Sequence, residues 1–208
     1  MKNSNVIALD CDGVLLNYAD AYGKAWERAF GEVPTLQNRD AYWPMHRWGI
    51  PMLTGGQLEQ FRRVFDDKFW STIPPIVGAL EACQLLIEAG CELICVTALE
   101  LHNLEARKRN LEMLGFPITK VIATPNREHD ESPKAQVLNE LGVDAFVDDY
   151  APYLVGVSAD IHKALILRDP IGSPNVGQAL SLANSTHANL LAFAHCWLEI
   201  PEDSLLSK

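Results

Sequence analysis

Five short apolar segments recur along the chain, separated by longer segments in which apolar residues are spaced three or four apart. The five segments are residues 6–9, 93–96, 121–123, 145–147 and 164–167. They are nearly continuous, rich in valine and isoleucine, and do not alternate with polar residues. Continuous runs of this kind are typical of strands that are covered on both faces. The pattern therefore predicts five buried strands.

Helices are predicted between these strands. Apolar residues repeat with helical spacing over residues 75–90, where Gly90 marks the end, and again over residues 101–115. A last amphipathic helix is predicted over residues 186–198. Strands that alternate with helices form a parallel sheet. The predicted fold class is therefore α/β, with a doubly wound, Rossmann-like parallel sheet.

Another helix is predicted directly after residue 131. Ser132 caps it, a proline occupies its first turn, and Lys134 follows. Its inward face is predicted to consist of Val137, Leu138 and Leu141.

The segment 17–75 interrupts the alternation of strands and helices. It is several times longer than an ordinary connection between a strand and a helix, and no strand of similar quality is found in it. We therefore predict a small α-helical cap subdomain at residues 17–75 and an α/β core domain at residues 1–16 and 76–208. Most of its aromatic residues are predicted to form its core; they are Trp26, Phe30, Tyr42, Trp43, Trp48, Phe61, Phe65, Phe69 and Trp70.

The net charge and the hydropathy of the chain disfavour some kinds of binding partner. The chain has 208 residues and a formal net charge of -10. This charge disfavours binding to nucleic acid or to an anionic membrane, and no apolar run approaches the length of a membrane span. The first apolar segment is too short, and too soon followed by acids, to act as a signal peptide. We expect a cytoplasmic protein.

An acidic pair directly follows the first predicted strand. Asp10 and Asp12 are two residues apart, so on extended backbone both side chains point to the same side, at the end of the sheet where α/β proteins bind ligands. Two adjacent carboxylates repel unless a divalent cation is bound or one of them keeps a proton. Gly13 allows a sharp turn beside them. The pair indicates a charged functional site, and an acidic turn is the alternative explanation.

Polar residues also follow other strands or begin a helix at the same edge. Thr97 ends the second predicted strand, Lys134 begins a helix, and Asp148 and Asp149 follow the fourth predicted strand. The positive end of a helix disfavours a lysine, so Lys134 is better explained if it faces an anion or the acids. Each feature alone has a structural explanation, but their position at one sheet edge favours a common site.

These motifs resemble those of the haloacid dehalogenase superfamily of hydrolases. The chain segments ALDCDGVLL, ICVTA, SPKAQVL and FVDDY are similar to the four motifs of that family and occur in its order. The match spans nearly the whole chain. Ala98 stands where many relatives carry a small polar residue or glycine, and its backbone amide is still suited to contact phosphate.

The resemblance implies a role for each motif residue. Asp10 would be the nucleophile and Asp12 the general acid and base. Thr97 and Lys134, with the Ala98 amide, would hold the phosphoryl group. Segment 17–75 would be a cap that closes over the site and selects the substrate.

The resemblance also implies one Mg2+ ion. Its ligands would be Asp10, the backbone carbonyl of Asp12 and the acids of the fourth motif, Asp148 and Asp149. Which member of that last pair contacts the metal stays open.

The chemistry of Asp12 favours phosphoryl transfer over dehalogenation, because an alkoxide leaves poorly without a proton whereas a halide needs none. The expected function is a magnesium-dependent phosphatase that acts on a small phosphorylated metabolite through an aspartyl phosphate. A phosphosugar mutase, a receiver-like module and a degenerate phosphate-binding protein are the alternatives. The order of acids and lysine argues against a receiver. The substrate's identity and the choice between monomer and homodimer stay open.

Some charged residues outside the motifs are also of interest. Three residues of segment 17–75 are candidates for contact with a polar substrate, with an ordinary surface or packing role as the alternative; they are His46, Arg47 and Arg63. A solvated helix face is predicted for His102, Arg107, Lys108 and Arg109.

Overall fold

The computed structural model describes residues 5–125 and 132–199. Its centre is a six-stranded sheet with the strand order β3-β2-β1-β4-β5-β6, in which every pairing is parallel. This arrangement confirms the predicted α/β class. The strands are β1 (Asn5–Leu9), β2 (Cys91–Thr97), β3 (Lys120–Ala123), β4 (Ala145–Asp148), β5 (His162–Ile166) and β6 (Ser185–His187).

The sixth strand was not predicted. Its sequence, Ser185–His187, contains no apolar run, and it lies at the edge of the sheet, where it pairs only with β5. The prediction for Leu167 was also wrong, because β5 ends at Ile166 and Leu167 is exposed.

The described ranges contain eight α-helices. They are α1 (Tyr18–Phe30), α2 (Pro44–Arg47), α3 (Gly55–Arg62), α4 (Asp67–Trp70), α5 (Ala79–Glu88), α6 (Leu104–Met113), α7 (Ala135–Leu141) and α8 (Leu190–Trp197). None of these helices has both the length and the apolar character needed to cross a membrane.

Two details of the predicted helices were wrong. Leu141, predicted to face inward, is 41% exposed at the end of α7, whereas Leu138 is buried. The last helix begins at Leu190 rather than near Thr186, because residues 185–187 form β6 and Asn189 caps the helix by accepting a hydrogen bond from the backbone of Ala192.

The central strands are buried on both faces. Ile7 and Leu9 of β1 pack on one side with Leu86 of α5, while Ala8 faces the opposite cluster with Leu138 of α7. Because alternate residues of a strand point to opposite faces, a strand between two helical layers needs apolar residues at every position. This explains the uninterrupted apolar runs.

Helices α1–α4 lie in the segment 17–75, called here the insertion. Several of its aromatic side chains pack on one another; Phe61 and Phe69 are buried, and Phe65 contacts both rings edge-on. Trp43 differs, since it is 39% exposed. The division into cap and core domains stays a prediction.

Backbone hydrogen bonds tie the insertion to the loop after β5. The amide of Tyr42 donates to the carbonyl of Ile171 at 2.9 Å, and the amide of Ile171 donates to the carbonyl of Asp40 at 3.0 Å. The loop before α2 is therefore attached to the carboxyl edge of the sheet.

Two histidines share one serine hydroxyl between β5 and β6. The Nε2 atoms of His162 and His187 each lie 2.8 Å from Ser185 Oγ. Burial lowers the pKa of both imidazoles, and His162 lowers that of His187 further. The neutral forms are therefore favoured in the folded state.

We predict that this cluster makes stability fall with acidification. In the unfolded chain each histidine takes up a proton near its ordinary pKa of about 6.5, whereas the folded state resists protonation. The contribution is therefore complete above that pH and is lost as the pH falls through the lower, folded pKa values. Urea unfolding at about pH 7 and pH 5 should show a smaller decrease for a double His162→Gln, His187→Gln variant than for wild type. Equal decreases would contradict the prediction, and His46→Gln, at an exposed position, is the control.

Candidate active site

Three acids meet at the carboxyl ends of two neighbouring strands. Asp10 directly follows β1, and its amide donates to the carbonyl of Val147 in β4 at 2.8 Å. Asp148 is the last residue of β4, and Asp149 follows. All three are buried, and one carboxylate oxygen from each lies within 4.8 Å of the others. The pairing of β1 with β4 therefore forces these carboxylates together.

Lys134 lies between two of these acids. Its Nζ donates to Asp10 Oδ1 at 2.5 Å and to Asp148 Oδ2 at 2.7 Å, and its side chain is fully buried. Burial disfavours the ammonium form, but Asp10 and Asp148 outweigh it and raise the pKa of Lys134. For Asp148, burial raises the pKa although Lys134 opposes this effect. The lysine is charged and screens the two carboxylates from each other.

Asp12 is paired with Arg107, which was wrongly predicted to be on a solvated helix face. Arg107 Nη2 lies 2.8 Å from Asp12 Oδ2; the arginine side chain is fully buried and the aspartate side chain is 25% exposed. Arg107 also lies over the ring of Trp70 at 5.2 Å. Burial raises the pKa of Asp12, and the guanidinium of Arg107 opposes the increase. Arg107 thus fixes the orientation of the Asp12 carboxylate.

Asp149 is paired with Arg168, which follows β5. Arg168 Nε donates to Asp149 Oδ2 at 2.5 Å. Burial raises the pKa of Asp149, and Arg168 opposes this. Gly13 lies directly beside this ion pair and has a φ of +89. A Cβ atom at this position would lie only 2.3 Å from Asp149 Oδ2. A glycine after Asp12 is therefore required by both the backbone conformation and the space.

The remaining predicted residues lie nearby. Thr97 is the buried last residue of β2, and Ala98 follows it; both line the same cavity as Asp10 and Asp12. Lys134 is hydrogen-bonded to Asp10 but does not itself line the cavity. The geometry thus assembles all seven predicted site residues at one sheet edge, while their roles stay predictions.

The cavity has a volume of about 620 Å³ and lies between the sheet edge and the insertion. Of the three insertion residues considered for substrate contact, Arg47 lines it, whereas His46 and Arg63 are exposed and are not among the lining residues. The insertion contributes mostly aromatic and apolar groups to its wall; the lining residues from this segment are Asn17, Tyr18, Ala19, Tyr42, Trp43, Pro44, Arg47 and Trp70.

The thiol between the first two acids is unsuited to nucleophilic chemistry. Cys11 is buried, and burial followed by a hydrogen bond with Cys95 raises its pKa well above the ordinary value. Since the thiolate is the nucleophilic form, Cys11 is held in its unreactive state.

The acid cluster fits a hard metal ion. Carboxylate oxygens of Asp10, Asp148 and Asp149 are close enough to share one cation, and oxygen donors of this type suit divalent ions such as magnesium. Both oxygens of Asp148 already accept hydrogen bonds, from Lys134 Nζ and from the backbone amide of Tyr150. Asp10 and Asp149 are therefore the more available ligands.

Sequence reasoning missed Arg107 and Arg168, although both had a signal. Arg107 is three residues after Leu104 and four before Leu111, so it occupies the inward face of α6. Arg168 lies two residues after the end of β5, and the polar site residues likewise lie at or just after the ends of the other strands. A cation at either position is explained by the acids it pairs with.

We predict that Lys134→Met destabilises the fold strongly. Removing the cation leaves Asp10 and Asp148 buried beside each other, a change that typically costs about 3–5 kcal/mol in the free energy of unfolding. The loss should shrink as the pH is lowered, because Asp148 has a raised pKa and a protonated carboxyl needs no counter-ion. Urea unfolding at about pH 7.5 with a chelator present measures the effect.

The matched control is Lys108→Met on α6. Lys108 forms a pair with Glu105 that is largely exposed, so its removal should change stability by less than about 0.5 kcal/mol. Equal stability of the two variants would contradict the structural role of Lys134.

No protein-family model matches the sequence, and no curated protein matches it in sequence. Solved structures, in contrast, match it over almost its whole length. A HAD family hydrolase from Deinococcus radiodurans, solved with bound phosphate and sodium, has a TM-score of 0.64 and 16% identity, and the match covers 96% of this chain and 97% of that protein.

Two further structures carry names of different activities. A predicted phosphoglycolate phosphatase from Haemophilus somnus has a TM-score of 0.62 at 16% identity and covers 95% of this chain and 99% of its own. An L-2-haloacid dehalogenase from Xanthobacter autotrophicus, with chloropropionic acid covalently bound, has a TM-score of 0.60 at 13% identity and covers 95% and 100%. Identities this low support a shared fold rather than a shared reaction. The chain has the fold of the haloacid dehalogenase (HAD) hydrolases, as its four motifs predicted.

Proposed function

We propose that the protein is a magnesium-dependent phosphomonoester hydrolase that acts on a small phosphorylated metabolite through an aspartyl phosphate. The observation that carries the proposal is the arrangement of Asp10 and Asp12. Both line one cavity, and each is held by its own buried cation, Lys134 or Arg107.

Asp10 is the nucleophile. Its Oδ1 atom accepts a hydrogen bond from Lys134 and would also be the atom that binds magnesium, which leaves Oδ2 to attack phosphorus. The new bond joins Oδ2 to phosphorus while the bond from phosphorus to the leaving oxygen breaks. Lys134 balances negative charge on Asp10 throughout the step.

Asp12 moves the proton in both half-reactions. In its protonated form it donates to the leaving alkoxide, and the resulting carboxylate then accepts a proton from the water that attacks the aspartyl phosphate. The products are an alcohol, inorganic phosphate and the original Asp10 carboxylate. Its raised pKa supports the donating role. A halide would not need such a donor, so Asp12 favours phosphate esters over halogenated substrates.

Magnesium, when bound by Asp10, Asp149 and the backbone carbonyl of Asp12, supplies positive charge that allows a phosphate dianion to approach the nucleophile. Asp148 would then serve mainly to position Lys134, to which it is hydrogen-bonded. Thr97 and the Ala98 amide are proposed to contact the phosphoryl oxygens from the neighbouring strand end.

We predict that Asp10→Asn abolishes hydrolysis. An amide is a poor nucleophile, so kcat/KM for phosphate release with magnesium should fall by roughly three orders of magnitude or more. Phosphate release from a panel of small phosphomonoesters, measured with magnesium and with a chelator, tests this. Asp160→Asn replaces an exposed acid that is not among the cavity-lining residues and should retain wild-type rates. Wild-type activity in Asp10→Asn would refute the mechanism.

Magnesium should also stabilise the folded protein. A ligand that binds only the native state at 100 times its Kd adds about 2.7 kcal/mol to the free energy of unfolding. Thermal unfolding should therefore shift upward with magnesium chloride relative to sodium chloride of equal ionic strength. Asp149→Asn should lose most of that shift, because it removes a proposed ligand. Identical shifts in wild type and Asp149→Asn would exclude this ligand assignment.

A further inference from the structure

We infer that Arg47 selects phosphomonoesters whose leaving group carries a second anionic group, such as a carboxylate or another phosphate. The inference rests on the proposed function and concerns the part of the cavity formed by the insertion. Arg47 is the last residue of α2, lines the cavity and has a side chain that is only 11% exposed.

The guanidinium of Arg47 has an unused donor. Its Nη2 atom lies 2.7 Å from Asp169 Oδ2, but its buried Nε–H has no hydrogen-bond acceptor within the described ranges 5–125 and 132–199. Leaving a buried donor without a partner is unfavourable, and more so for a charged group. Because Nε is inaccessible to solvent in this arrangement, a substrate oxygen would satisfy it after the Arg47 side chain shifts toward the cavity.

The surroundings of Arg47 favour an anion rather than a neutral or cationic group. Asp169 Oδ2 also lies 2.7 Å from Arg168 Nη1, so two guanidinium groups share one carboxylate oxygen. Arg168 has Asp149 as a second partner, but Asp149 is the proposed metal ligand. Asp149 Oδ2 keeps Arg168 as its partner while the other oxygen of Asp149 is free for the metal, so the two arginines are balanced by two carboxylates. The two charges of a bound magnesium ion would then make this part of the cavity positive. A cationic group would be repelled there.

The position of Arg47 is fixed from two sides. Asp169 adopts a left-handed conformation with φ 45, which is unusual outside glycine, and this loop conformation presents its carboxylate to both arginines. Trp43 lies one helical turn before Arg47 and lines the same cavity. The backbone of Arg47 is held as well, since its carbonyl accepts a hydrogen bond from the amide of Gln37 at 2.8 Å. Arginine also binds carboxylate and phosphate groups with a planar set of donors.

The test uses substrates that differ only in the charge of one end. A short series consists of phosphoglycolate, ethylene glycol monophosphate and phosphoethanolamine, whose second groups are anionic, neutral and cationic. A longer series consists of 4-carboxyphenyl, 4-(hydroxymethyl)phenyl and 4-(aminomethyl)phenyl phosphate, which extend further from the phosphoryl site. In at least one series, kcat/KM of the wild type should be at least about tenfold higher for the anionic member than for the neutral one, and lowest for the cationic one.

Variants separate recognition from the intrinsic reactivity of each ester. Arg47→Gln should remove the preference, mainly by raising KM for the anionic member, and should change kcat/KM for the neutral member by less than about threefold. Arg47→Lys, which keeps the charge, should retain part of the preference. Asp169→Asn removes the carboxylate that the two arginines share, and this variant should keep or increase the preference for the anionic member. Arg63→Gln, at an exposed position on the same segment, should leave the preference unchanged.

The failures of the two proposals are distinguishable. If no ester in either series releases phosphate, the proposed phosphatase function fails. If esters are hydrolysed but the anionic members are not preferred, or if Arg47→Gln keeps the wild-type preference while folding normally by circular dichroism, the inference about Arg47 is wrong and the phosphatase function stands. If Arg47→Gln does not fold, the inference is tested with Arg47→Lys and Asp169→Asn. The quantity compared is kcat/KM for the anionic member divided by kcat/KM for the neutral member.

Discussion

The contact of one ammonium group with two buried carboxylates is the interaction on which the site depends. Parallel pairing of β1 with β4 brings Asp10 and Asp148 to the same sheet edge, where water is largely excluded. In that environment two adjacent negative charges repel strongly. Lys134 reaches both oxygens from the turn before α7 and makes the arrangement tolerable. The helix that supplies the lysine is therefore part of the electrostatics of the strands.

Each of the two neighbouring acids is also paired with a cation. Asp12 is paired with Arg107 of α6, and Asp149 with Arg168 beyond β5. Each cation also lies over an aromatic ring: Lys134 at 4.6 Å from Tyr153, Arg107 at 5.2 Å from Trp70 and Arg168 at 4.4 Å from Tyr42. Trp70 and Tyr42 belong to the insertion. Its packing and the charge balance of the sheet edge are therefore linked, and the insertion is more than a cover for the cavity.

The parts of the structure that local sequence determines could be predicted. Five strands were recognised by their continuous apolar runs, and the acids were recognised because they stand where those runs end. The predicted burial was wrong for β3, which lies at the edge of the sheet and is only partly buried. β6 could not be recognised, since a three-residue edge strand needs no apolar run and exists through its pairing with β5. Arg107 was misjudged because a charged residue in a helix is usually solvated, and only the distant Asp12 explains its burial. Pairings between residues far apart in the chain, such as Arg47 with Asp169, leave no local pattern.

The backbone hydrogen bonds between the insertion and the loop after β5 restrict movement of one wall of the cavity. Tyr42, whose side chain also donates to the backbone carbonyl of Asp149, is held to Ile171 by the same kind of bond that joins strands in a sheet. The wall of the cavity that contains Tyr42 and Trp43 is therefore not carried on a free hinge. Moving this wall away from the loop after β5 requires these main-chain bonds to break together with the ion pair of Arg47. Under the proposed function, opening the cavity on this side would therefore carry an energy cost set by the fold rather than by phosphoryl transfer.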